Sequence, residues 1–184
     1  MIRALTLSIM LACPAFADPL DLVDYPAIFA ANPDNVETVS EDRRILRLDS
    51  VTLIHDPTEP RPYIGIDESG QGAVGCLVSV LATIESATAA CEVALPDAQV
   101  TFLDEFRAMA LRYYAENAQP ATDIGTARSR YQTYVASQIE SARPLCSNVD
   151  LMTDLADRLL SDNGAAQVGA ILATPRLPVE NPCL

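Results

Sequence analysis

The sequence predicts a mainly α, single-domain fold: a disulfide-stapled helical domain of about four main helices with a small N-terminal β-hairpin or strand element. An α+β arrangement is the alternative. Three observations carry this expectation. Apolar residues recur at the three-to-four spacing of a helix face through most of the second half of the chain. Alternation of apolar and polar residues is confined to the stretch between Arg43 and Ile66. Four cysteines remain once the first seventeen residues are set aside, an even number that reads as two bridges.

Those seventeen residues have the layout of a Sec-type signal peptide. Met1-Ile2-Arg3 is a short cationic start, Ala4 to Cys13 is mostly apolar, and Ala15-Phe16-Ala17 places small residues at the −3 and −1 positions before Asp18. Cleavage is expected between Ala17 and Asp18, which assigns 1–17 to the leader and 18–184 to one globular domain in the periplasm or outside the cell. The apolar run is broken by Pro14, short of the roughly 20 residues a transmembrane helix needs. A lipoprotein anchored through Cys13 is the minor alternative.

The mature chain opens with Leu20, Leu22, Val23, Ile28 and Phe29 scattered among acids and prolines, which fits one or two short helices. The ends, 18–34 and 175–184, are expected to be loosely structured. In Arg43–His55, Leu46 and Leu48 alternate with Arg47 and Asp49, and the phase slips at Asp49-Ser50, as a turn or bulge requires. After a loop stiffened by Pro57, Pro60 and Pro62, Tyr63–Ile66 reads as a second short strand. Gln71–Cys91 carries Val74, Leu77, Val78, Leu81 and Ile84 on one face and little charge elsewhere, the pattern of a buried helix too short to span a bilayer. A strand over Cys76–Ile84 is its alternative, since short apolar runs are ambiguous by period. Pro96-Asp97 opens a clear helix with a Val100, Leu103, Phe106, Met109, Tyr113 stripe, ended by Asn117–Ala121. Thr122 or Asp123 caps the next, which holds Ala127, Tyr131, Tyr134, Val135 and Ile139 and stops before Pro144. The short connection makes the two antiparallel neighbours, pairing Phe106 with Tyr134 and Met109 with Tyr131. Asn148 or Asp150 starts a further helix, closed by Gly164, and Ala165–Thr174 is a last short one.

The mature cysteines are Cys76, Cys91, Cys146 and Cys183. If Gln71–Cys91 is helical, Cys76 and Cys91 stand about 22 Å apart along the axis. A disulfide needs Cα atoms within about 7 Å, so each must reach elsewhere. Cys91–Cys146 with Cys76–Cys183 is the preferred pairing. No CxxC and no CxxCH occurs, which removes thioredoxin-type redox chemistry and c-type haem.

The whole chain carries a formal charge of −13 with twelve basic residues, all arginine, and 25 acids. Loss of the leader removes Arg3 and no acid, giving −14 for 18–184. Such a field repels phosphate backbones, so nucleic acid is not an expected partner, and it favours a cationic one. With no lysine present, Schiff-base chemistry and P-loop phosphate clamps are excluded.

Several constellations could carry chemistry. Gly70-Gln71-Gly72-Ala73-Val74-Gly75 is a literal G-x-G-x-x-G before a helix, but Asp67 and Glu68 precede it where an apolar strand should run, so no cofactor is expected. His55 is the only histidine, which excludes two-histidine zinc motifs, and no nucleophile turn accompanies it for a Ser–His–Asp triad. Asp67, Glu68 and Ser69 fail the EF-hand template because Val78 stands where its glutamate belongs, and they read as solvated surface. Arg43, Arg44 and Arg47 form a basic spot, expected to pair with Glu41 and Asp42. Tyr113, Tyr114, Tyr131 and Tyr134 could line a groove or fill the core. No metal site and no catalytic set is assigned. The resulting expectation is an exported envelope protein acting as a binding or interaction module, chaperone-like or inhibitor-like. A small hydrolase using acidic residues on cell-wall or carbohydrate material is the alternative.

Overall fold

A computed structural model describes residues 19–181 and 183, the side chains of 149–152 excepted. The expected leader, 1–17, and its expected cleavage between Ala17 and Asp18 lie outside the described residues. The described residues are mainly α, 59% helical, with a small antiparallel sheet and two disulfides. In order, the elements are α1 (Tyr25–Ala31), β1 (Val36–Thr38), β2 (Arg44–Leu48), β3 (Val51–His55), β4 (Tyr63–Asp67), α2 (Val74–Cys91), α3 (Asp97–Asn117), α4 (Ile124–Ala142), α5 (Val149–Leu160) and α6 (Asp162–Ala173).

The four strands form a meander in the order β1-β2-β3-β4. The phase slip at Asp49-Ser50 is a two-residue turn: Leu48 pairs with Val51, and Asp49 takes φ +35°, a conformation aspartate tolerates better than most residues. Leu46 and Leu53 are register partners with no exposed surface and begin the sheet's core, which Val51, Phe29, Ile28 and Tyr25 complete.

α2 is the centre of the helical half. Val74, Leu77, Val78, Leu81 and Ile84 are each at most 4% exposed. At about 2 kcal/mol per side chain their burial contributes roughly 10 kcal/mol gross, far more than the few tenths per residue by which valine disfavours a helix. This outcome rejects the strand alternative. By length and composition α2 would suffice to cross a bilayer, contrary to expectation, but over half of it is buried against α3, α4, α5 and α6, as in a core helix. Asp123 caps α4 by accepting the Thr126 N–H at 3.0 Å. α4 lies closer to α2 than to α3, so Tyr131 points at α2 while Met109 is 46% exposed. The expected pairing of Met109 with Tyr131 is therefore not what orders this helix pair.

Gly164 does not close α5. It lies inside α6, where its N–H donates to the capping Ser161 Oγ at 3.1 Å. A Cβ there would stand 2.3 Å from the Arg158 and Leu159 carbonyl oxygens, so the tight junction between the two helices accounts for the glycine.

The ends are tied down rather than loose. Leu20, Val23, Tyr25, Ile28 and Phe29 are buried, and the Asp24 N–H donates to the Gln119 carbonyl at 2.8 Å. At the other end 176–180 are all buried and form a strap across the seam between sheet and helices. Ile66 and Asn181 make a parallel bridge, the Asp67 N–H donates to the Asn181 carbonyl at 2.6 Å, and the Gly75 N–H to the Val179 carbonyl at 2.8 Å. Disulfides join Cys76 to Cys183, across 5.1 Å between Cα atoms, and Cys91 to Cys146, across 5.2 Å.

The strap explains the glycine at position 75. A Cβ added there would lie 2.6 Å from the Val179 oxygen and 2.8 Å from the Glu180 Cα, backbone atoms that cannot swing away. Gly75→Ala is expected to destabilise the fold by about 1–3 kcal/mol, the usual range for overpacking, although alanine is the better helix former. Urea unfolding of the variant reads this directly, and an unchanged or higher midpoint would show that the strap is not seated as described.

Candidate functional site

The polar groups singled out by sequence are mostly used for structure. Asp67 is not surface. Its side chain is 1% exposed and its carboxylate is ion-paired with Arg176, itself 3% exposed, while its Oδ1 accepts the Ser69 N–H at 2.8 Å. Arg176 spends its remaining donors on carbonyls: Nη1 on Ile171 and Thr174 (3.0 and 2.9 Å), Nη2 on Gly72 (2.8 Å). Glu68 instead accepts from the Thr52 hydroxyl at 2.8 Å, so 67–69 do not converge. Among the described residues no group of three His, Cys, Asp or Glu side chains could hold a metal ion.

The glycine run has its explanation in the same place. Gly70 and Gly72 adopt φ +74° and +97°, letting Gly72 present its carbonyl to Arg176. The α2 N-terminus, where a pyrophosphate would sit in a dinucleotide fold, is covered by the strap through the Gly75–Val179 bond. The run shapes a turn and a close backbone approach.

His55 stands on the sheet beside Tyr63, with ring centroids 4.6 Å apart, and its Nδ1 accepts from Arg44 Nη2 at 3.1 Å. Arg44 in turn lies 5.7 Å from the centre of the Phe29 ring. A triad base needs Nδ1–H donated to a carboxylate; here that nitrogen faces a cation. Desolvation and then the Arg44 charge lower the His55 pKa below 6.5, against a smaller opposing pull from Asp56. Because the unfolded chain takes up the proton first, this histidine removes stability as pH falls from about 6.5 towards its folded value and adds nothing further below it. An NMR titration should find the His55 midpoint below 6.5, and Arg44→Gln should raise it. A midpoint above 6.5 in the parent protein would contradict the pairing.

Arg47 reaches Glu37 at 3.7 Å across the β1–β2 ladder. The structure shows no salt bridge from Arg43, Arg44 or Arg47 to Glu41 or Asp42 among the described residues. Glu85 on α2 accepts from Arg107 Nη1 at 2.9 Å and from the Tyr131 hydroxyl at 3.0 Å, knitting three helices together. Burial, reinforced by the Glu85 charge, raises the Tyr131 pKa. Tyr113 receives the Arg176 backbone N–H at 2.9 Å and anchors the strap, while Tyr114 is fully buried.

Of the four tyrosines, Tyr134 lines a groove. This groove, about 580 Å³, is built from three separate segments. Pro19, Leu20, Asp21, Val23 and Tyr25 come from the N-terminal segment, and Pro60-Arg61-Pro62 from the loop entering β4, followed by Tyr63 at the start of that strand. Arg130, Thr133, Tyr134 and Ser137 come from α4, where the spacing i, i+3, i+4, i+7 sets them on one face. Tyr63 is stacked on the buried Tyr25 ring at 5.6 Å, with the planes 11° apart, which fixes its orientation. Arg130 Nη1 stands 3.6 Å from Asp21 Oδ2, both side chains more than half exposed. Among the described residues that line the groove, two are arginines and one is an acid, whereas acids outnumber arginines in the whole chain. A second recess of about 310 Å³ between α2, α5 and α6 is lined mainly by aliphatic side chains such as Leu77, Val80, Leu159 and Ile171.

The molecule thus belongs to the class of mainly α, disulfide-stapled domains carrying a small antiparallel sheet. Comparison with protein-family models, with curated proteins and with solved structures finds no match.

Proposed function

We propose that this chain is an exported envelope protein, periplasmic or secreted, that works as a binding module through the groove between α4 and the loop entering β4. The observation that carries the reading is the groove itself: tyrosines, prolines and two arginines line a concavity whose volume lies in the usual 300–1,000 Å³ range of ligand sites. Two disulfides fit an oxidising, non-cytoplasmic compartment. The most deeply buried charges are committed to the Arg176–Asp67 pair, which supports a binding rather than a catalytic role. A hydrolase using paired carboxylates would need two acids in one cleft, and the described lining of this groove offers Asp21 alone.

At long range the acidic field favours a neutral or cationic partner. The reading is tested by placing a photo-crosslinking residue at the exposed Thr133 and, as a control, at the exposed Asp42 in the exported protein. After irradiation in native envelope extract, intact mass spectrometry is expected to find a discrete adduct at Thr133 and none at Asp42. No adduct, or equal adducts at both, would overturn the reading.

A further inference from the structure

We infer that the recess between α2, α5 and α6 is a second binding site, separate from the groove, and that it takes a free medium-chain aliphatic carboxylate. Its described lining shares no residue with that of the groove. The walls come first. α5 contributes Leu155, Arg158 and Leu159, and α6 contributes Gln167, Val168 and Ile171, spacings of three and four that put each set on one helix face. Leu77, Val168 and Ile171 are buried, whereas Val80, Leu155 and Leu159 are only half-buried although they pack against the same core. Those three leave apolar surface that an occupant takes out of water, worth about fourfold in affinity for each methylene covered. The described lining holds no aromatic ring, so nothing there stacks a flat ligand and an aliphatic chain is the matching shape. A dry apolar cavity of about 150 Å³ accepts benzene. The recess, at about 310 Å³, has room for a chain of roughly six to ten carbons.

One residue sets the polar end. Arg158 is the one charged side chain in the described lining, and it is exposed, as a group at the mouth must be. Among the described residues no carboxylate pairs with its guanidinium, although Asp154 and Asp162 lie four positions either side. Arg107 and Arg143, by contrast, are each held by an acid three positions away. A guanidinium beside apolar walls meets a carboxylate bidentately, and the exposed Gln167 on α6 supplies an amide donor. Cys76 also lines the recess, but its sulfur is bonded to Cys183, which leaves no thiol there to react. The recess is a place for binding.

Methyl-resolved NMR titration with butanoate, hexanoate, octanoate and decanoate, and with octanamide as the neutral counterpart, tests this. Shifts are expected at Leu77, Val80, Val168 and Ile171, and none at Val23 in the groove. Affinity should rise about fourfold per added methylene until the chain fills the recess, and then level off. Octanoate should bind about tenfold more tightly than octanamide, the size of a charge-assisted hydrogen bond. Arg158→Gln should abolish that preference while leaving octanamide binding and the circular dichroism spectrum unchanged, because the side chain is exposed. Val80→Phe, which fills the recess from its wall, should weaken acid and amide alike. Shifts centred on the groove, an affinity flat with chain length, or a preference for acid over amide that survives Arg158→Gln would overturn the inference. So would the absence of binding at millimolar octanoate.

Discussion

Arg176→Met should cost about 3–5 kcal/mol of stability, the penalty for removing one partner of a buried ion pair. The reason is what the substitution leaves behind. Asp67, 1% exposed, would keep a carboxylate with the Ser69 N–H but without its cation, and the carbonyls of Gly72 and Ile171 would lose their Arg176 donor, while Thr174 keeps the Tyr113 hydroxyl. Each orphaned buried acceptor costs about 1–3 kcal/mol. Asp67→Leu should be about equally damaging, since it strands the guanidinium instead. The double variant separates the two contributions. Replacing both charges removes the uncompensated ion, so the combined loss should be smaller than the sum of the single losses. It should not fall to zero, because the Gly72 and Ile171 carbonyls lose the Arg176 donor all the same. Urea unfolding of the four proteins measures all of this. A single Arg176→Met variant within about 1 kcal/mol of the parent would mean that the pair does not hold the strap.

This pair also shows where sequence reasoning ran out. Asp67 and Arg176 are 109 positions apart, and nothing local distinguishes Asp67 from the exposed Glu68 beside it. What could be read was local and periodic. The apolar face of Val74–Ile84 was long enough to identify a helix, and the rise per residue then kept Cys76 and Cys91 apart. The turn at Asp49-Ser50 showed as a broken alternation. β1 had no such signal, since three residues are too few to alternate.

The terminal segments were misjudged for a different reason. Pro19, Pro26, Pro175 and Pro178 made irregular backbone look loose, but irregular chain can be as buried as a helix when its polar groups find partners. The Gly75 N–H and Val179 carbonyl do so here. Gly164 misled because glycine commonly ends helices, whereas Ser161 three residues earlier was the operative signal, an N-cap. The groove was legible only in Tyr134. Its other contributors, Arg61 among them, come from segments that meet through tertiary packing.

The second large effect concerns the disulfides. Removing Cys91–Cys146 by paired serine substitution should destabilise the protein by about 4 kcal/mol, and removing Cys76–Cys183 by nearly 5, because the bridged residues are 55 and 107 positions apart and the unfolded chain regains the freedom to open those loops. The two losses should differ in kind as well as size. Cys91–Cys146 ties the end of α2 to the chain between α4 and α5, which shared apolar packing also holds in place. Its removal should lower the unfolding midpoint while leaving the fold cooperative. Cys76–Cys183 fastens the last residues of the strap, and the strap covers the Arg176–Asp67 pair and the seam between sheet and helices. Without it, Asn181 should come loose first and faster amide exchange should appear at Asp67 and Gly75, whose N–H groups donate to Asn181 and Val179. Hydrogen exchange on the two variants, read beside their unfolding curves, distinguishes the cases. Equal protection at Asp67 and Gly75 in both would mean that the buried ion pair holds the strap unaided.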